Sequence, residues 1–289
     1  MEALARKGHI FMTKKVRILS LGAGVQSTTV ALMAIHGEIE PVEHAIFSDT
    51  GWETPSVYRH LEWLVPKLEA ANIKFHKVKS DKNSGNIKQD ILYGKRHASI
   101  PMFTKAEDGT IGTLRRQCTT EYKVMPVQKK EREIIGLKPG QRWKPENGEI
   151  TNVMGISLDE IQRMKDNHLH FITNEYPLVD LRMTRHDCLL WVKNNGYPTP
   201  PRSACIGCPY HNNDEWRRLK NEDIDSFNDA VEFEKQMQNP IPGTQLATVN
   251  GTPYLHRSCV PLDQIDFRNE EDLGQISLFD QECEGMCGI

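Results

Sequence analysis

No stretch of this 289-residue chain is apolar for long enough to cross a bilayer, and no segment repeats. The basic opening MEALARKGHIFMTKK lacks the apolar block of a secretory signal. Both absences point to a cytoplasmic protein with no membrane partner, and residues 1–13 read as a flexible leader. Net charge is scarce too. With 36 Lys and Arg against 39 Asp and Glu, the formal charge is −3. No global field then attracts nucleic acid or an anionic membrane, and such contacts must come from local patches. Charged residues at 26% and hydrophobic ones at 38% fit a globular chain long enough to bury a sizeable core.

What is present is an alternation of strand-like and helix-like segments. VRILSL (16–21), HAIFS (44–48) and IKFHKVK (73–79) read as strands. TTVALMAIH (28–36) reads as a helix, and Thr54 followed by Pro55 starts another, with Val57, Leu61, Leu64 and Leu68 at helical spacing. This βαβαβ pattern predicts an α/β fold with a parallel, doubly wound sheet. Residues 80–115, polar and rich in Lys and Gly, read as a mobile insertion or lid. A helix is expected over 119–135, strands at 150–157 and 168–172, and helices at 184–195 and 214–237. The texture changes at "GYPTPPRSACIGCPYHNNDEW" (196–216), and the chain ends in an acidic tail. The expected division is a nucleotide-binding domain over 14–200 and a cysteine-containing helical and tail region over 201–289.

The turn after the first strand, LSLGAGVQST (19–28), contains no lysine, which excludes a Walker A loop. Gly22-Ala23-Gly24-Val25-Gln26-Ser27 partly matches a dinucleotide fingerprint, with Asp49 placed as a ribose-binding acid, but Ser27 replaces the third glycine. A pyrophosphatase-type loop is the third option. There, backbone amides, a serine hydroxyl and a helix N-terminus hold phosphates. A bare strand-to-helix turn is the plain alternative.

Further motifs follow in order: Asp49-Thr50-Gly51-Trp52-Glu53-Thr54-Pro55; Arg116-Gln117-Cys118 with Lys123 and Pro126; Gly155-Ile156-Ser157 with Asp159, Glu160 and Arg163; Tyr176-Pro177-Leu178; and Ser203-Ala204-Cys205 with Cys208-Pro209. Together, over roughly residues 16–220, they resemble the phosphoadenosine phosphosulfate reductase family of the PP-loop adenine-nucleotide α-hydrolase superfamily. The resemblance implies a five-stranded parallel sheet of order 3-2-1-4-5 with helices on both faces, and a nucleotide over the strands' carboxyl ends. It implies Gly22, Ala23, Gly24, Gln26, Ser27, Asp49 and Thr50 as nucleotide-binding residues. Arg116, Lys123 and Arg163 are implied as anion or substrate contacts. Many ATP-cleaving members carry S-G-G-x-D-S. This chain has Ala23 and Gln26 in that loop, and the glutamine is similar to the reductase branch.

Seven cysteines include two close pairs, Cys205 with Cys208 and Cys283 with Cys287. In a reducing compartment such spacing favours metal or redox chemistry over a disulfide framework. Thiolates suit zinc or an iron–sulfur cluster. The resemblance implies a 4Fe-4S cluster on Cys118, Cys205 and Cys208, with one iron open or a tail cysteine as fourth ligand. A zinc ion or a plain redox pair are the alternatives. The tail around Glu282-Cys283 is similar to the mobile Glu-Cys-Gly-x-His segment of sulfonucleotide reductases, without the histidine. Cys283 and Cys287 are therefore the candidate nucleophiles. Cys188 reads as core, and Asp159 with Arg163 as an exposed i,i+4 ion pair.

Two functions follow from the resemblance. One is ATP-dependent sulfur transfer with Mg²⁺, from a sulfur donor to a nucleic acid or small acceptor. The other is reduction of phosphoadenosine phosphosulfate or adenylylsulfate, with a thioredoxin-like reductant. A non-catalytic nucleotide- and cluster-binding sensor or assembly subunit is the third reading, and a homodimer stays open. Basic clusters at residues 74–96 and 115–132 offer a polyanion contact or, more plainly, solvated helix faces.

Overall fold

Apolar residues on both sides of one strand set the architecture. In β1 (Lys15–Ser20), Val16 and Ile18 turn to one face and Leu19 to the other, all almost fully buried. The structure is a computed structural model that describes residues 14–81, 84–95 and 100–268. The chain continues through α1 (Val25–His36), β2 (His44–Ser48), α2 (Pro55–Ala70), β3 (Lys74–Val78), α3 (Ile87–Tyr93), β4 (Phe103–Lys105) and β5 (Ile111–Thr113). A π-helical turn (Thr119–Val124) leads into α4 (Met125–Ile134) and β6 (Glu149–Met154), and a 3₁₀ segment (Leu158–Arg163) precedes β7 (Ile172–Glu175). The last elements are α5 (Pro177–Asp180), α6 (Arg185–Asn194), α7 (Asn213–Glu222), α8 (Ile224–Gln238) and β8 (Thr252–Tyr254).

The main sheet runs β3-β2-β1-β6-β7 and is parallel throughout. Counted along the sheet's own strands, this is the expected order 3-2-1-4-5. On one face, α1, α2 and α6 bury Val30, Leu64 and Cys188 against Leu19 and Val153, so Cys188 is core as expected. On the other, α4 buries Val127 against Ile18, Ile46 and Ile150. Among the described residues, no helix is long and apolar enough to cross a membrane.

Three expectations are corrected. The fifth strand lies at Ile172–Glu175, because the Asn167 side chain accepts the Leu169 amide and turns the chain there. The expected helix over 214–237 is two helices. Asp223, between them, leaves helical geometry and its carboxylate caps the start of α8 by accepting the Ser226 amide. The segment expected to be a lid is partly core, with an exposed hairpin tip over 105–113. Ile87, Ile91, Leu92 and Met102 pack with Trp216, Phe233 and Met237, and β4 pairs antiparallel with both β5 and β8.

Glu234 fastens this second core. Its buried carboxylate accepts the amides of Leu255 (2.8 Å) and Leu262 (2.6 Å), tying α8 to the chain around β8. Glu234→Ala orphans both amides and is expected to cost about 2–4 kcal/mol in chemical denaturation. The exposed Glu232→Ala control should stay within about 0.5 kcal/mol. Equal effects would contradict this role for Glu234.

Candidate functional site

α1 begins without a cap. Gly24 at its N-cap position has no side chain to accept a first-turn amide, and that turn holds no acid. Helix N-termini of this kind attract anions through unpaired N–H groups and the helix dipole. Here they border a cavity of about 450 Å³, whose wall includes Gly22, Gly24, Gln26 and Ser27. Two close approaches hold the turn. A Cβ on Gly155, at the end of β6, would lie 2.6 Å from the Ser27 nitrogen, so only glycine lets β6 run under the helix start. The Ser203 hydroxyl donates to the Gly22 carbonyl, and Gly24 abuts Ser203. Ala23 takes a left-handed φ of 60° with its methyl fully buried, and is not part of the cavity wall.

The facing wall is the π turn and α4. Thr120, Val124, Val127 and Glu131 recur at helical spacing and line the cavity with Lys123. Ile46, Phe47, Asn152 and Met154 contribute from the sheet, and Arg163, Arg202 and Ser203 from the loops. Arg163 pairs with Glu160, whose other oxygen accepts from the Gln26 amide at 3.2 Å. The expected Asp159–Arg163 pair is thus replaced: Asp159 instead accepts the Arg185 backbone amide.

Asp49 and Thr50 lie off this wall. Burial pushes the Asp49 carboxyl upward, but hydrogen bonds from the Gly51 amide, Tyr58 and Lys77 outweigh it and hold the group below its usual range. Lys77 (3.1 Å) and Lys79 (3.6 Å) both reach it. Other cations of the basic stretches are also paired: Lys88 with Asp229, Lys129 with Asp81 and Lys130 with Glu133. Thr50 faces the cysteine turn. Its hydroxyl lies 3.2 Å from the Cys205 sulfur and donates to Glu53 at 2.8 Å. Glu53 lines the cavity and also accepts from the Cys205 thiol at 3.7 Å.

The Cys205–Cys208 turn is pinned at this point. Glu53 and Cys205 form a β-bridge, and the Ile206 amide donates to the Trp52 carbonyl. Gly207 has no room for a Cβ, which would sit 2.1 Å from the Trp52 ring. Cys118 is half-buried against the same hydrophobic cluster that contains Cys205, and Arg116 lies over the Tyr210 ring at 5.5 Å. Among the described residues, no group of three or more His, Cys, Asp or Glu side chains is arranged to hold a metal ion. Cys283 and Cys287 lie outside the described residues.

No family model and no curated protein matches the chain. Solved structures similar to it include a phosphoadenylyl-sulfate (PAPS) reductase from Candida auris in its phosphate complex. The two share 16% identity, with a TM-score of 0.40 over 66% of this chain and 77% of that one. Another is the U34-tRNA thiolase NcsA from Methanococcus maripaludis with its 4Fe-4S cluster. It shares 16% identity, with a TM-score of 0.42 over 76% of this chain and 71% of that one. Likeness at this level assigns no residue a role. The fold rests on the strand order, and the site on the geometry above.

Of the residues named from the sequence, the structure brings Gly22, Gly24, Gln26, Ser27, Lys123 and Arg163 to one cavity. It missed Glu53, Gly155 and Ser203 as site residues, although each stands inside a quoted motif. It also missed Asn152 and Glu131, which nothing in their local sequence marks. Glu131 is buried, its Oε1 atom has no hydrogen-bond partner, and burial pushes its carboxyl up from 4.5 to about 7. Between those values the unfolded chain releases a proton that the folded chain keeps, so stability falls as pH rises and levels off above about 7. Glu131→Gln removes that slope. Relative to wild type it should gain up to roughly 3 kcal/mol in denaturant unfolding between pH 4.5 and 7.5. Parallel pH profiles would refute a buried, neutral Glu131.

Proposed function

We propose that this protein is an enzyme of nucleotide-dependent sulfur chemistry in the PP-loop superfamily, performing ATP-dependent sulfur transfer. One observation carries the reading. The cavity at the uncapped start of α1 shares a wall residue, Glu53, with the Cys205–Cys208 turn, which supports pairing the proposed phosphate site with a thiol pair. The motif resemblance and the 3-2-1-4-5 sheet order support it.

With MgATP as substrate, the first-turn amides of α1 and the Ser27 hydroxyl take phosphate oxygens, while Lys123, Arg163 and Arg202 offset the remaining charge. An acceptor oxygen attacks the α-phosphorus, and pyrophosphate departs with the electrons of the broken P–O bond. Sulfide, or a persulfide on the Cys205–Cys208 pair, then attacks the activated carbon and expels AMP. In the persulfide route, the second cysteine releases the product by forming a Cys205–Cys208 disulfide. A dithiol reductant then restores the pair.

Calorimetric titration of the full chain with MgATP and with phosphoadenosine phosphosulfate tests this reading. The expected result is MgATP binding that Gly155→Ala weakens at least about tenfold, because the added methyl displaces the helix start. Pyrophosphate release should appear only with an acceptor present. Sulfite release from the sulfonucleotide would establish the reductase function instead. No nucleotide binding by wild type, or none of the expected loss in Gly155→Ala, would overturn the site.

A further inference from the structure

Beside the nucleotide cavity lies a second hollow, an open groove of about 660 Å³. On one side, Ser56, Arg59, His60 and Trp63 recur at helical spacing along α2. α6 brings Arg185, and α7 brings Asp214, Glu215 and Arg218. The loop between these two helices closes the groove with Pro198, Pro200 and Pro201, whose fixed φ angles stiffen it. Arg185 and Arg202 line both hollows. The Pro201 carbonyl lies 3.9 Å from where a Cβ on Gly24 would stand, so the groove adjoins the start of α1.

The groove is positively charged, with four arginines against two acids. Arg218 holds the Glu215 carboxylate through two hydrogen bonds, at 3.1 and 2.7 Å. Set aside that pair, and three arginines remain with Asp214, which also reaches Arg217 at 3.1 Å. Burial lowers His60 to about 4, so it adds no charge near neutral pH, and its ring bonds the Thr28 hydroxyl of α1 at 2.9 Å. Arg59 is exposed and makes no hydrogen bond or ion pair with any other described residue. Guanidinium forks match the oxygens of a phosphate group. A nucleic-acid strand calls for a longer track of cations. Within the basic stretches, however, Lys77, Lys79, Lys88, Lys129 and Lys130 are all engaged with carboxylates. A surplus confined to one groove suits a single phosphate on a small molecule.

We propose that this groove holds the sulfur acceptor, a small molecule anchored through a phosphate group by Arg59, Arg185 and Arg202. This rests on the sulfur-transfer reading above and adds the second substrate's site to it. Arg185 and Arg202 then stand between two anions, the acceptor's phosphate and the nucleotide, and offset their repulsion. Arg59 serves the groove alone, because it does not line the nucleotide cavity.

The test uses ribose 5-phosphate as the probe, titrated calorimetrically into full-length wild type, Arg59→Ala and Gly155→Ala. MgATP and a short single-stranded oligonucleotide are titrated in parallel. Arg59→Ala should weaken ribose 5-phosphate about tenfold and leave MgATP within about twofold, and Gly155→Ala should do the reverse. The exposed Arg142→Ala control should change neither. Ribose 5-phosphate that fails to bind while MgATP binds overturns this inference alone, as does equal binding by wild type and Arg59→Ala. Oligonucleotide that binds more tightly than ribose 5-phosphate and is weakened by Arg59→Ala also overturns it, in favour of a nucleic-acid acceptor. The expected ribose 5-phosphate pattern without any MgATP binding overturns the nucleotide reading and leaves the groove's phosphate site standing.

Discussion

The start of α1, where Gly24 brings no capping side chain, is the constraint around which this molecule is arranged. Backbone donors at a helix start need a partner, and the N-cap residue, Gly24, has no side chain to supply one. The surrounding chain keeps that start open and fixed. Gly155 lets β6 pass beneath it, Ser203 grips the Gly22 carbonyl, and Gln26 reaches across to Glu160. A charged side chain in the turn would fill the space; backbone and small residues leave it for a ligand. The proposed phosphate site therefore needs no lysine in the turn.

The end of β2 joins that site to the rest of the fold. Trp52 underlies the cysteine turn, donates to Asp229 on α8 at 2.6 Å and meets Phe233 edge-on at 4.5 Å between ring centroids. One residue further, Glu53 turns to the cavity and to Cys205. The second hydrophobic core therefore bears directly on the position of the thiol pair. Polar groups near the site divide by role. The Asp49 carboxylate is held ionised by lysine charge and by hydrogen bonds from Gly51 and Tyr58, while Glu131 Oε1 and Asn152 Oδ1 are buried without a hydrogen-bond partner.

Much of the main sheet was legible from the chain. Two-sided apolar runs marked β1 and β2, Thr54 with Pro55 marked the start of α2, and small residues between β1 and α1 marked the turn. The second core was not legible, because its order comes from distant partners. Phe103 pairs with Tyr254, about half the chain away, and a three-residue strand has no period of its own. The partners of Asp49 were not legible either: Lys77 and Tyr58 come from elements whose approach only folding reveals. Glu131 was the least visible. Among Lys129, Lys130, Arg132 and Glu133 it reads as one more solvated charge, and only the docking of α4 on the sheet buries it.

The central claim is that anions bind to backbone groups at the start of α1. Nuclear magnetic resonance of the isotope-labelled chain, titrated with inorganic tripolyphosphate, tests it most directly. The account predicts saturable shifts centred on the amides of Gly24, Val25, Gln26 and Ser27, weakening as salt rises. Shifts centred elsewhere, with these four amides unmoved, would contradict it.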